Sequence, residues 1–289
     1  MSAWFTILLD GLAYGMVLFI ISVGLTITMG LMRIVNLAHG AFAMIGGYVA
    51  AVSIEHGLGW GLAALLGSAA AGAAGGVAEV FLYRPLYGKG ELAQMLLTFG
   101  LVFVVTGLLS LAFGVEFKRI PLPPGLSGDV SLGFRSYPLY RLFLIAVGAL
   151  LAAGLWLALD RSLYGARLRA AVDNPAMARG IGMNVDRLFT ATFVFGCALA
   201  GLGGVVGSEL LLIEPAYALK HLVTFLVVVV LGGHASLEGS FAAALVIGMV
   251  ETFGKFYFPS LAPYVSFLLV LVLLLWRPHG VLPAKSLSP

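Results

Sequence analysis

Two short polar stretches interrupt an otherwise apolar chain. "RIVNLAHGAFAMIGGYVA" (33–50) gathers Arg33, Asn36 and His39, and "GGHASLEGSFAAA" (232–244) gathers His234, Ser236 and Glu238. Amide, imidazole, hydroxyl and carboxylate groups can all hydrogen-bond a polar solute. At membrane depth such groups face a bundle interior or a water-filled route rather than lipid. Asn36 and His39 have the spacing that shares one helix face. Two readings are open for each stretch. In one, each is a broken helix start lining a route across the bundle, with Gly40, Gly46 and Gly47 allowing close packing. In the other, Arg33 to His39 form a turn in which Asn36 caps the following helix, and Ser236 or Glu238 merely begins the helix after it.

A third stretch is basic, "DRSLYGARLRAAVDNPAMARGIGMNVDRL" (160–188). Asn174 followed by Pro175 is a helix start, a side-chain cap and then proline at the first helical position. "AMARGIG" supplies a turn or two, and Gly182 can end it. A preceding short helix over 162–172 is expected to turn Arg167 and Arg169 outward. Two helices too small to fold alone need a surface to dock against; the alternative is a solvated or headgroup-bound basic loop.

Other chemistry lacks support. The chain has no GxxxxGK[ST], HExxH, CxxC pair or GxSxG, so nothing points to ATP hydrolysis or another enzymatic activity. The single cysteine, Cys197, can form neither an intramolecular disulfide nor a Cys-rich metal site. Glu251 precedes Lys255 at i, i+4 and is expected to be neutralised by it, and Glu79 similarly stands near Arg84.

The elements that must position these residues are membrane helices. Of 289 residues 61% are hydrophobic and 10% charged, with mean hydropathy +1.06. Soluble domains run near 25% charged, so lipid must cover part of this surface. The net charge of +3 is small and lies in loops, which argues against nucleic-acid binding. The reading is an all-α integral membrane protein, one transmembrane domain over 1–289. Apolar runs at 5–30, 38–55, 60–82, 92–113, 138–159, 188–208, 219–233, 239–257 and 262–276 predict about nine spans at ~20 residues each; eight with one re-entrant segment is the competing count. The start of the chain lacks the basic and cleavage features of a signal peptide and reads as a retained first helix. Strands are not expected, because the alternating pattern of a membrane barrel is absent. Basic residues at 83–91, 160–187 and the tail fall on one side of nine alternating spans, placing the C-terminus in the cytoplasm and the N-terminus outside. Segment 114–137, rich in proline and glycine, then becomes an outer cap.

Glycines are concentrated in the spans, with GxxxG spacing at Gly11/Gly15, Gly72/Gly76 and Gly203/Gly207, as dense helix packing requires. The segments 39–49 and 238–250 share x-G-x-F-A, matching Gly40 to Gly239 and Phe42 to Phe241. This is either the trace of an internal repeat, with a pathway at the repeat interface, or coincidence in Gly- and Ala-rich sequence.

From "GLAYGMVLFIISVGLTITMGLMRIVNLAHGAFAMIGGYVA" onward the chain resembles the permease subunits of branched-chain amino acid ABC importers, the LivH type. The likeness continues through "RPLYGKGELAQMLLTFGLVFV", "GARLRAAVDNPAMARGIGMNVDRL", "GGHASLEGSFAAALVIGMVE" and "LLLWRPHGVL", covering nearly the whole chain in order. The resemblance implies a bacterial inner-membrane permease, without a cofactor of its own, that pairs with a second, LivM-type permease. Two cytoplasmic ATP-binding subunits, holding ATP and Mg, would power the pair, and a periplasmic binding protein would deliver substrate. It implies that 160–187 docks on an ATPase through an EAA-like loop. Ala178 and Gly182 hold the matching positions, whereas Ala176 and Met177 replace the leading Glu-Ala. It favours 36–47 and 232–240 as walls of the path. Related permeases carry urea, short amides or other small carboxylates, so the resemblance leaves the substrate open. An ion-coupled secondary transporter is the reading from a different class; it would require unpaired membrane carboxylates.

Overall fold

A computed structural model of the chain describes residues 2–32, 34–131, 136–233 and 236–261, together with 264, 268, 271, 272 and 275. It is mostly helical. The helices are α1 (Ser2–Leu25), α2 (His39–Glu55), α3 (Trp60–Ala78), α4 (Gly90–Phe113), α5 (Leu139–Asp160), α6 (Leu163–Asp173), α7 (Pro175–Gly180), α8 (Val185–Val206), α9 (Tyr217–Gly232) and α10 (Leu237–Tyr257). Two of them run on into π-helical turns, α1 through Thr26–Leu31 and α3 through Glu79–Tyr83.

Six of the described helical segments are long and apolar enough to cross a membrane. The expected segments 38–55 and 219–233 emerge as shorter helices, α2 with 17 residues and α9 with 16. The last expected span, 262–276, lies largely outside the described residues. The chain is therefore a multi-pass membrane protein.

Burial orders the bundle. The apolar window of α1 is 89% buried, against 11% in α4 and 22% in α5, so α1 is central and most of the surface of α4 and α5 is left uncovered by this chain. α1 packs on α10, α8, α5 and α9, while α3 packs on α8 and α2. Cβ positions built on the glycines give the helix directions. Gly24 faces Gly196, Gly203 faces Ile21 and Gly207 faces Val17, so α1 and α8 run antiparallel.

Glycine sets how closely the backbones approach. A Cβ on Gly46 would lie 2.4 Å from Gly201 Cα, and one on Gly67 would lie 2.4 Å from the Gly46 carbonyl oxygen. The three helices α2, α3 and α8 thus meet backbone to backbone, where only dispersion and polar contacts hold helices together. The GxxxG pairs predicted from sequence all sit at helix contacts: Gly11 and Gly15 against α10, Gly72 and Gly76 against α8, Gly203 and Gly207 against α1.

Strands were not expected, yet a small antiparallel hairpin, β1 (Asp129–Ser131) with β2 (Ser136–Pro138), lies in the 114–137 segment. Lys118 N–H also donates to the Ile213 carbonyl at 2.8 Å. Such short strands carry too few residues for an alternating pattern to register. At the same end of the bundle Arg141 pairs with the Asp10 carboxylate at 2.5 Å, to which Tyr137 donates at 2.8 Å. Burial, and then the Asp10 carboxylate, push the Tyr137 phenol up from its ordinary pKa.

Candidate translocation break and docking loop

The chain leaves helical geometry between the π-helical end of α1 and the start of α2; Arg33 lies outside the described residues, and residues 34–38 of this segment are largely enclosed. Asn36 is 0% and His39 1% exposed. A buried break must satisfy its freed backbone groups, and α4 does so with side chains: Val35 N–H donates to Gln94 Oε1 at 2.9 Å, and Leu37 N–H to Thr98 Oγ1 at 3.2 Å. Asn36 does not cap α2. The residue before the helix is Ala38, which offers no side-chain cap, and Asn36 Oδ1 instead accepts from the Tyr83 hydroxyl at 2.7 Å. The capping-turn reading is thereby corrected: the segment lies inside the bundle and Asn36 reaches across to α3.

His39 ties α2 to α1. Its Nε2 lies 2.7 Å from the Ile21 carbonyl, which can only accept, so Nε2 carries the proton. The imidazole sits against the Gly24–Gly196 crossing, where a Cβ on Gly24 would come within 2.7 Å of His39 Cε1. Asn36 Nδ2 and His39 Nδ1 are buried with no protein partner. The remaining residues of the stretch pack helices: Gly40 against Ala218, Gly46 against Gly201, Gly47 against the Ile213 side chain, and Phe42 edge-on to Phe193 at 6.3 Å.

The second break follows the plainer reading in part. Ser236 caps α10, its Oγ accepting from Gly239 N–H at 2.9 Å, and Glu238 is exposed. Gly239 is packed against the Gly232 carbonyl. His234 lies outside the described residues. Both breaks engage the same stretch of α1: His39 bonds Ile21, and the Ser240 and Thr26 hydroxyls lie 2.8 Å apart.

The basic loop folds as its caps predict. Ser162 Oγ accepts from Tyr164 and Gly165 N–H at the start of α6. Asn174 Oδ1 accepts from Met177 N–H at 2.9 Å with Pro175 opening α7, and Gly182 follows with φ +86°, a left-handed conformation that glycine adopts without strain. Arg167 is exposed as expected. Arg169 keeps a partly exposed side chain while its Nη1 donates to the Leu159 carbonyl at 2.6 Å, satisfying a free carbonyl at the end of α5 as cations near helix C-termini do. Ala178 is buried with Ala171 and Val185 in a small core of the loop, so it holds the hairpin together rather than facing out. Arg179 pairs with Asp186 at 2.9 Å. The tip instead exposes Met177 at 68% and Ile181 at 73%.

The charge pairs read from sequence are present. Lys255 lies 2.8 Å from Glu251. Glu79 is fully buried and receives Arg84 Nη2 at 2.9 Å, Tyr87 OH at 2.9 Å and Thr190 Oγ1 at 2.8 Å. Sequence reasoning missed Tyr83, Gln94, Thr98 and Thr190; the one available signal was a polar side chain in an apolar run.

Residues 7–276 match the family described as branched-chain amino acid transport system, permease component. Among curated relatives, the high-affinity branched-chain amino acid transport system permease protein BraD of Pseudomonas aeruginosa is 30% identical over 95% of this chain and 94% of the relative. The permease protein LivH of Escherichia coli is 28% identical over 94% of this chain and 93% of its own. The permease protein LivM of the same organism is 25% identical over 93% of this chain and 68% of the relative. No solved structure matches the chain significantly. A match of this extent, on a multi-pass bundle with a buried polar break, shows that the chain belongs to the family of branched-chain amino acid transport permease components.

Proposed function

We propose that this chain forms half of the membrane path of an ATP-driven importer for branched-chain amino acids or similar small solutes. The observation that carries the ATP-driven reading is the α6–α7 hairpin. It is capped at both helix starts, pinned to α5 and α8 by Arg169 and Arg179, and yet exposes Met177 and Ile181 at its tip. A rigid basic loop presenting apolar side chains is built to dock, whereas a solvated loop has no use for them. Its partner in this reading is one of two cytoplasmic ATP-binding subunits, which hold the ATP and Mg; this chain contributes no cofactor site. A second, LivM-type permease completes the path and a periplasmic binding protein delivers substrate.

Arg161, Arg167, Arg179 and Arg187 are exposed on this loop, and basic short loops face the cytoplasm. The N-terminus is then outside and the C-terminus inside, in the bacterial inner membrane. Around the break, Asn36 and His39 hold the polar turn from inside this chain and so shape the path beside it, with the start of α10 next to them. The carboxylates Glu79 and Glu251 are ion-paired, which speaks against coupling to a proton or sodium gradient. Met177→Asp and Ile181→Asp should each detach the ATP-binding subunits from the purified complex while the chain still inserts and folds. Complexes that keep their full complement of ATP-binding subunits with both substitutions would refute the docking assignment.

A further inference from the structure

Resting on that reading, a series of polar contacts, joined by the first turn of α8 and by the π-helical turn, links the docking hairpin to the break. Arg179 of α7 pairs with Asp186 in the first turn of α8. One turn further on, the Thr190 hydroxyl accepts from Arg84 Nη2 at 2.6 Å. Its single proton has two acceptors, Glu79 Oε2 at 2.8 Å and the Asp186 carbonyl at 2.9 Å. Glu79 opens the π-helical turn that closes on Tyr83, and Tyr83 donates to Asn36 in the break. The same face of α8 carries Phe193, whose ring packs on Tyr83 at 4.8 Å and on Phe42 at 6.3 Å.

A mere structural tie for a buried carboxylate would need its ion pair and its remaining lone pairs satisfied. Thr190 has, beside the i−4 carbonyl that a helical threonine commonly bonds, a second acceptor in Glu79, and its O–H reaches either by rotation about the Cβ–Oγ bond. Coupling between distant sites needs an element with two discrete arrangements that both sites bias. A π-helical turn, with its displaced hydrogen bonds, is also a recurrent feature of functional segments.

We propose that Thr190 is a positioning residue for transport: its hydroxyl turns between Glu79 and the Asp186 carbonyl as the docked ATP-binding subunit moves α7. The π-helical turn passes that movement through Tyr83 to Asn36 and so to the break. No proton leaves any group in this step.

The test uses the full importer, with its partner permease, ATP-binding subunits and binding protein, in proteoliposomes. The readout is leucine imported per ATP hydrolysed. Thr190→Val, which removes the hydroxyl at nearly constant shape, and Tyr83→Phe, which cuts the chain at its far end, should each lower the ratio about fivefold or more. Thr190→Ser, which keeps the hydroxyl, should restore it. A wild-type ratio in both Thr190→Val and Tyr83→Phe overturns the proposal. So does a parallel loss of hydrolysis, import and thermal midpoint in both, since that is the mark of a purely structural role. Import by the wild-type complex without ATP hydrolysis would instead overturn the importer reading on which the proposal rests.

Discussion

Gly46→Ala is the sharpest probe of how α2 is held against α8. The added methyl would meet Gly201 Cα at 2.4 Å and the Gly201 carbonyl oxygen at 2.5 Å, both backbone atoms, whereas ordinary contact begins at 3.4 Å. No side chain can swing aside, so α2 and α8 must part by about 1 Å. A gap of that size forfeits a quarter to a half of each dispersion contact along the seam, and overpacking of this kind costs about 3 kcal/mol. At roughly 2 °C per kcal/mol for a chain of this size, the thermal midpoint in detergent should fall by about 6 °C. Gly100→Ala is the internal control: on α4 a Cβ meets nothing within 4 Å. Higher helix propensity should therefore leave that variant unchanged or stabilise it by up to about 1 kcal/mol. Equal midpoints for wild type, Gly46→Ala and Gly100→Ala would refute the close-packed seam.

Gln94→Leu should strand the Val35 N–H inside the bundle and destabilise the chain by about 1–3 kcal/mol, seen as a lower midpoint and faster amide exchange across residues 34–38. His39→Ala should leave the complex assembled but reduce leucine uptake, checked by subunit stoichiometry and transport on the same preparation. A cysteine placed at 39 should resist membrane-impermeant thiol reagents, in keeping with burial of His39; rapid labelling from the loop side would show an open turn.

The sequence spoke most clearly where the signal is local. The cap at Asn174, the proline at 175 and the glycine at 182 each act within a few residues, so α7 and its end were legible in the sequence. Hydrophobic runs located the long spans for the same reason. The node around the break was opaque because its partners are remote: Asn36 bonds a residue 47 positions away and Leu37 one 61 positions away. Nor does an apolar run distinguish an α-helical from a π-helical turn, so the exit of α3 went unread. The bond from Arg169 to the Leu159 carbonyl was equally opaque, because charge alone says outward and does not reveal a free carbonyl ten residues back. A helix of a turn or two is too short for its apolar pattern to show which side faces in, and the fold shows that Ala178 does while Met177 and Ile181 face out.

In the proposed function this chain transports by coupling to ATP hydrolysis in other subunits. Leucine uptake by proteoliposomes of the complete complex, with ATP on the docking-loop side and ion gradients collapsed, tests it most directly. Uptake should require hydrolysable ATP and disappear when the ATP-binding subunits are omitted. Uptake by this chain alone, driven by a proton or sodium gradient without ATP, would contradict it.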